Sequence, residues 1–273
     1  MLTQEQKGAA FRALHERAGA FIIPNPWDAG TAKLLARLGF EALATTSAGY
    51  AFSMGVQDGA VGREAMMVHV AAIAAATDLP VSADLENGFE DDPKTVAETI
   101  RLGAAGGLAG GSIEDVSPRP EGKLYGIEYA AERVRAAADA ARALPFQFTL
   151  TARAENYLVG RPNLKDTIAR LQAFQDAGAD VLYAPGLTSK EEIATLVRSV
   201  NRPVNVIMGS QGVRMSVAEL AAIGVKRISV GSALSRAALG AFLRAAREMH
   251  ERGTFEFSNE AVSYREISAM FQG

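Results

Sequence analysis

Pro80-Val-Ser-Ala-Asp-Leu-Glu-Asn-Gly-Phe-Glu90 reads as a short strand that begins apolar and ends in acid. Val81, Ala83 and Leu85 alternate with Ser82, Asp84 and Glu86, so Asp84 and Glu86 are expected on one face of an extended chain. Asn87-Gly88 then breaks the strand and leaves both carboxylates at its C-terminal end. Like charges on one face repel, and a cation between them removes the repulsion. An isolated Asp-x-Glu is an ordinary solvated loop feature. It gains weight here because the next strand also ends in acid, at Glu114-Asp115.

This stretch lies between two helical patterns, 63–76 and 93–105, and the alternation continues in both directions. Upstream run a helix at 3–19, a strand at 20–24, a helix at 31–38 with Asp28 as its cap, a strand at 42–46 and a polar, glycine-bearing loop at 47–62. Downstream, strands at 108–114, 147–153, 181–184, 204–208 and 227–230 alternate with helices at 127–143, 164–177, 191–200, 217–223 and 232–252. Each strand is followed by a helix, which demands a parallel sheet with crossover connections. Eight such units in 273 residues have the size of a (β/α)₈ TIM barrel. An open doubly wound sheet would carry Gly-x-Gly-x-x-Gly after its first strand, and none stands there. No composition break divides the chain, so one barrel domain over 1–273 is expected. Beyond the eighth unit, Val262, Ile267, Met270 and Phe271 form an apolar stripe on a helix-like tail at 259–271. A barrel has no use for it, so it is expected to cover a neighbour or a subunit contact.

Apolar content of 48% and charged content of 22% are those of a soluble globular protein. A net charge of −3 without long Lys/Arg runs argues against nucleic acid, and no apolar stretch is long enough to span a bilayer. The first residues lack the order of a secretion signal, so a cytoplasmic protein is expected. Zero cysteines excludes disulfides, thiolate metal sites and a cysteine nucleophile.

Active sites of such barrels lie at the C-terminal ends of the strands. Those ends, with the loop after the second, offer Asp58, Asp84, Glu86 and Glu114 as a convergent oxygen set for a hard cation. His15, His69 and His250 all fall in predicted helices, so Mg²⁺ or Mn²⁺ is expected rather than Zn²⁺. Arg153 closes the fifth strand. It either neutralises Glu155 or Glu114, or forks onto a substrate carboxylate, which its planar donors suit; the second is preferred. No strand interior holds a lysine, which excludes a Schiff-base aldolase and leaves a metal as the electron sink. Gly209-Ser210 and Gly231-Ser232 could form a phosphate cup, as in phosphosugar enzymes, but read more simply as tight turns.

Together these residues resemble the isocitrate lyase/phosphoenolpyruvate mutase superfamily. Ala83-Asp84-x-Glu86-Asn-Gly-Phe is similar to its Asp-x-Asp-x-Gly-Tyr stretch, and Ser112-Ile-Glu114-Asp115 to its Ile-Glu-Asp strand end. Thr151-Ala-Arg153-Ala-Glu155 resembles its Ala-Arg-Thr-Asp, and Gly55-Val-Gln-Asp58 its Gly-x-Pro-Asp loop. Asn25-Pro-Trp-Asp28 and Gly39-Phe-Glu-Ala42 also fit, so the likeness runs over nearly the whole chain. The resemblance implies a barrel whose last helix is exchanged between subunits, in a homotetramer or homodimer. It implies Mg²⁺ under a small 2-oxo acid whose carboxylate meets Thr46, Ser47, Ala48 and Arg153. Asp84 would be the nearest metal carboxylate, with Asp58, Glu86 and Glu114 acting directly or through water.

The chain also departs from that pattern. Isocitrate and methylisocitrate lyases carry Lys-Lys-Cys-Gly-His after the fourth strand, and the mutases carry Lys-Thr-Asn-Ser. Here the loop reads Ser117-Pro-Arg-Pro-Glu-Gly-Lys123-Leu-Tyr125. Glu86 replaces an Asp, and Ser47-Ala48 replace glycines, which narrows the pocket. The expected function is a Mg²⁺-dependent lyase that cleaves or decarboxylates 2-oxo acids, or methylisocitrate-like adducts, through a metal-stabilised enolate. The loop at 115–126 would close over the site and bring Arg119, Glu121 or Lys123 near as proton donor. A phosphonopyruvate hydrolase or mutase, and a non-catalytic 2-oxo acid binder, are the alternatives.

Overall fold

The computed structural model describes residues 2–117, 123–209 and 213–272. Its first half runs α1 (Gln4–Glu16), β1 (Phe21–Ile23), α2 (Ala29–Arg37), β2 (Leu43–Ala44), α3 (Ser47–Ser53), α4 (Arg63–Ala75), β3 (Val81–Asp84), α5 (Pro93–Ala105), β4 (Gly110–Glu114) and α6 (Ile127–Arg142). The second half runs β5 (Thr149–Arg153), α7 (Leu164–Ala177), β6 (Val181–Tyr183), α8 (Lys190–Arg198), β7 (Val204–Ile207), α9 (Val217–Ala222), β8 (Arg227–Ser229), α10 (Ala233–Arg252), a 3₁₀ turn (Glu256–Asn259) and α11 (Tyr264–Ala269). No helix among the described residues is long and apolar enough to cross a membrane.

The eight strands form one parallel sheet in the order β1-β8-β7-β6-β5-β4-β3-β2. Between β1 and β2, Ala44 N donates to Pro24 O at 3.0 Å, which draws the sheet into a (β/α)₈ barrel. Asn25 reinforces that seam. Its Nδ2 donates to Thr45 O at 2.9 Å, and its Oδ1 accepts from Val230 N and Gly231 N at 2.9 and 3.0 Å. One buried side chain thus ties the ends of β1, β2 and β8.

Local sequence explains where the elements begin. Asp28 caps α2 through a capping box with Thr31, as its position in the sequence predicts. Asn163, Ser189 and Ser216 cap α7, α8 and α9 through their side chains. Val96 and Ile100 of α5, and Met66, Val70 and Ile73 of α4, are fully buried with Leu85, Leu108 and Ile113 of the sheet layer. This is the apolar stripe that a barrel's outer helices must bury.

Two expectations change. The loop expected over 47–62 opens with a helix, α3, whose N-cap Thr46 accepts from Gly49 N. β3 ends at Asp84, and Glu86 takes a left-handed backbone with φ of 49°, so the two acids do not share a strand face. The tail expected as helix-like over 259–271 does carry a short helix, α11, behind the 3₁₀ turn at Glu256–Asn259. At the phosphate-cup positions, Gly209 and Gly231 adopt φ of 86° and 52°, as tight turns require, and the Gly231 amide is used by Asn25. Ser210 lies outside the described residues.

Asn25→Ala should lower the unfolding free energy by about 2–4 kcal/mol, because it strands two part-buried amides and a buried carbonyl together. Urea titration measures this, and a loss within error of zero would show that the seam does not depend on Asn25.

Candidate active site

The mouth of the barrel is built around Arg153, the last residue of β5, whose side chain is only 12% exposed. Its Nε donates to Glu155 Oε1 at 2.8 Å, its Nη1 to Asp84 Oδ1 at 2.8 Å, and its Nη2 lies 3.2 Å from Glu114 Oε2. The guanidinium also stands over the ring of Tyr183, 5.3 Å from its centroid. Glu114, Arg153 and Tyr183 are consecutive register partners on β4, β5 and β6. Adjacent parallel strands therefore deliver them to one height in the mouth.

Asp84 is held from several sides. Its Oδ2 accepts from Ser47 Oγ at 2.9 Å and Ser47 N at 3.3 Å, and its own amide donates to Thr45 Oγ1 at 2.9 Å. The Thr45-Thr46-Ser47 segment where α3 begins thus fixes both the backbone and the carboxylate of Asp84. The Ser47 side chain reaches Asp58 as well. Thr46 and Ser47 are buried and Ala48 is half-buried.

Burial raises the Glu86 pKa to about 8, with Asp84 and Asp58 adding to the rise. Burial, then Asp84, also pushes Asp58 upward, although much of that residue is open to solvent. Glu114 is raised well above its usual range by burial, against the pull of Arg153. Glu155 is raised in the same way. Burial works against the charge of Arg153, but Glu155, Asp84 and Glu114 outweigh it and hold its pKa well above the ordinary value. Tyr183 is pushed up to about 12 by burial.

Of the residues expected to hold a metal, Asp84 and Glu114 meet on Arg153, and Asp58 and Glu86 are near enough to feel the Asp84 charge. Among the described residues, no three acidic or histidine side chains are arranged to hold a metal between them. The donor set still fits a hard cation. Three carboxylates, at 84, 114 and 155, contact one guanidinium, Asp58 and Glu86 stand close enough for its charge to act on them, and the buried Glu86 Oε1 has no hydrogen-bond partner. His15 and His69 lie in α1 and α4, with burial lowering them to about 3 and about 4, and His250 lies in α10.

Of the three loop candidates for proton donor, Lys123 is described and its carbonyl accepts from Ser117 N at 2.9 Å. Arg119 and Glu121 lie outside the described residues. Tyr183 escaped the sequence reading, although it is the large polar residue closing the sixth strand. A survey of strand ends that included that strand would have found it.

Comparison with known proteins agrees with this architecture. The family model described as phosphoenolpyruvate phosphomutase matches residues 11–250, and the chain belongs to that family. A solved structure from Burkholderia cenocepacia J2315, classed provisionally as a lyase/mutase, is 65% identical, with a TM-score of 0.96 over 98% of this chain and 97% of that one. The 2-methylisocitrate lyase of Aeropyrum pernix is 28% identical over 92% of this chain and 82% of its own length. The 2,3-dimethylmalate lyase of Eubacterium barkeri is 29% identical over 79% and 76% respectively.

Glu86 also makes a stability prediction. A carboxyl whose folded pKa stands at about 8 contributes stability that is present below its unfolded pKa and lost as pH rises through 8. In chelator-treated protein the melting temperature should fall between about pH 5 and pH 9, and Glu86→Gln should flatten that fall. Calorimetry across this range checks it; equal slopes in parent and variant would refute the assignment.

Proposed function

We propose that the protein is a divalent-metal-dependent lyase that breaks a carbon–carbon bond in a 2-oxo acid, or in an aldol-type adduct of the methylisocitrate kind. The observation that carries this reading is the excess of acid around Arg153 at the strand ends. The similarity to a 2-methylisocitrate lyase and a 2,3-dimethylmalate lyase supports the bond class.

In this reading Asp58, Asp84, Glu86 and Glu114 hold Mg²⁺ or Mn²⁺, directly or through water. Bound there, the ion would supply the Lewis acidity that lets an oxo acid's C2 oxygen bear negative charge as the bond breaks. The chain's own groups do the rest. Thr46, Ser47 and Ala48 would line the substrate carboxylate at the start of α3, with Ser47, whose hydroxyl and N–H both donate to Asp84, exchanging that carboxylate for the substrate's. At rest Ser47 keeps Asp84 oriented while that carboxylate is shared with Arg153. Arg153 accepts the substrate carboxylate by exchanging one of its acid partners for it, since all three of its nitrogens are engaged at rest. The proton that quenches the product carbanion is delivered from the loop at 115–126 by Lys123, Glu121 or Arg119. The phosphomutase family match favours one second reading, cleavage or rearrangement of a phosphono-oxo acid at the same site.

One screen tests the proposal. Oxaloacetate, methylisocitrate, isocitrate and phosphonopyruvate are incubated with the protein and Mg²⁺, and release of pyruvate, glyoxylate or phosphate is followed. Product is expected from one of the carbon–carbon substrates, with loss on chelation and a fall of at least about a hundredfold in Asp84→Ala. Phosphate released together with pyruvate from phosphonopyruvate, or phosphoenolpyruvate formed from it, with no turnover of the carbon–carbon substrates, would support the second reading. Turnover that survives both chelation and Asp84→Ala would overturn the metal, and silence on every substrate would favour a binder.

The assembly belongs to the same proposal. α10 buries only Ser235 and Glu248, while Phe242 and Leu243 are 67% and 47% exposed and Phe255 beyond it is 65% exposed. We infer that this apolar arm packs on a second copy, in a homodimer or homotetramer. Deleting 259–273 should lower the sedimenting mass; a truncated protein that sediments as the parent assembly would refute the tail's part in it.

A further inference from the structure

Arg133 is the largest fully buried side chain among the described residues, 1% exposed, and it lies on α6. Its guanidinium is spent on main-chain carbonyls. Nη2 donates to Asn87 O, and to Glu90 O at 2.7 Å; Nε donates to Asp91 O at 3.0 Å, and Nη1 to Glu114 O at 3.3 Å. Its face is covered by the ring of Tyr125, 4.3 Å from the centroid. The Tyr125 hydroxyl donates to Asp91 Oδ1 at 2.5 Å and accepts from Asn87 Nδ2 at 3.3 Å.

These partners are not scattered. Residues 87–91 form the turn that follows Glu86, and Glu114 closes β4. Within this stretch Glu86 and Phe89 adopt φ of 49° and 71°, which side chains other than glycine's rarely take. Such a backbone persists only where its surroundings over-determine it, and Arg133 with Tyr125 supplies that determination from the downstream side. Tyr125 extends the clasp further. Its amide donates to Asp115 O at 2.9 Å, and Arg170 binds both Asp115 Oδ2 and Tyr125 O, at 3.0 and 2.8 Å. Asp115 Oδ1 in turn accepts from Glu155 N at 2.9 Å. The ends of β3, β4 and β5, which carry Glu86, Glu114 and Arg153 with Glu155, therefore meet in one buried network.

We propose that Arg133, capped by Tyr125, is a positioning residue: it locks the left-handed turn that aims Glu86 and registers it against Glu114 and the base of the loop at 115–125. The inference rests on the proposed function for its catalytic consequence, but not for the geometry it assigns. A guanidinium suits this task because its planar fork can serve four carbonyls at once, which a lysine ammonium cannot. Burial opposes the charge and lowers the Arg133 pKa, with Tyr125 opposing that fall.

The test uses the full chain with Tyr125→Phe, which keeps the ring on the guanidinium and removes only its hydroxyl bonds, and Arg133→Lys, which keeps charge without the fork. Arg142→Ala, on the exposed side of the same helix, is the control. Both test variants should speed amide exchange over residues 86–92 relative to the rest of the barrel. Both should weaken Mg²⁺ binding, measured by calorimetry without substrate, by about tenfold. On whichever oxo acid the parent cleaves, kcat should fall about tenfold with KM within about twofold, a split that general loss of stability would not give well below the melting temperature. If Arg133→Lys does not fold, Tyr125→Phe carries the test. Parental exchange, Mg²⁺ affinity and kcat in Tyr125→Phe would overturn the proposal. If the parent cleaves no oxo acid, the proposed function fails alone; faster exchange at 86–92 would then still support the positioning role, and unchanged exchange would overturn it.

Discussion

The mouth of this barrel depends on one buried guanidinium surrounded by more acid than it can neutralise. Arg153 uses each of its nitrogens on a different carboxylate, from β3, β4 and the segment after β5. At low exposure such pairs are costly to bring together and more costly to break, because removing one partner leaves the others buried and uncompensated. The three strand ends are therefore not independent loops on a scaffold. Any change at Asp84, Glu114 or Glu155 is felt by the other two through Arg153.

The barrel was legible because its signals are local. Alternation in the strands, 3.6-residue stripes in the helices and Gly or Pro punctuation between them all act within a few residues. The acids were legible because a barrel's chemistry collects at the C-terminal strand ends, and Asp84, Glu114 and Arg153 each close a strand. Elements that depend on tertiary partners were harder to read. α3 is Ser-Ala-Gly-Tyr-Ala-Phe-Ser, whose glycine and serines read as loop, and its helix is secured by the Thr46 cap and by Ser47 on Asp84. Glu86 continues the strand's alternation in sequence, yet the turn begins before it.

Arg133 shows the same limit from the other side. It sits in an Ala-rich helix where an arginine reads as a solvated surface residue. Its carbonyl partners lie 19 to 46 positions away along the chain, and only the packed fold brings them together. Its role is therefore invisible to spacing rules. An arginine bonded to carbonyls carries no charge pattern that a sequence reading could match.

A further interior arginine bears on the charge balance at the mouth. Arg227 begins β8 and is 4% exposed; its Nε donates to Asn205 Oδ1 and its Nη2 to Thr151 Oγ1, both at 2.9 Å, while Nη1 has no partner. Burial lowers its pKa to about 10, with Tyr183 opposing that fall. Arg153, Tyr183, Asn205 and Arg227 are successive register partners across β5 to β8, so one polar row winds from the mouth along the barrel wall. Yet Arg227 is bonded to neutral partners, and Tyr183 and Asn205 stand between it and Arg153 along that row. The chain thus spends two buried guanidiniums, Arg133 and Arg227, on neutral partners, and leaves Asp84, Glu114 and Glu155 to share Arg153. Burial holds Glu86, Glu114 and Glu155 toward their protonated forms, so the charge that an anionic oxo acid meets at that mouth depends on pH. A divalent ion bound among them would favour their charged forms and would also give the orphaned Glu86 oxygen a partner.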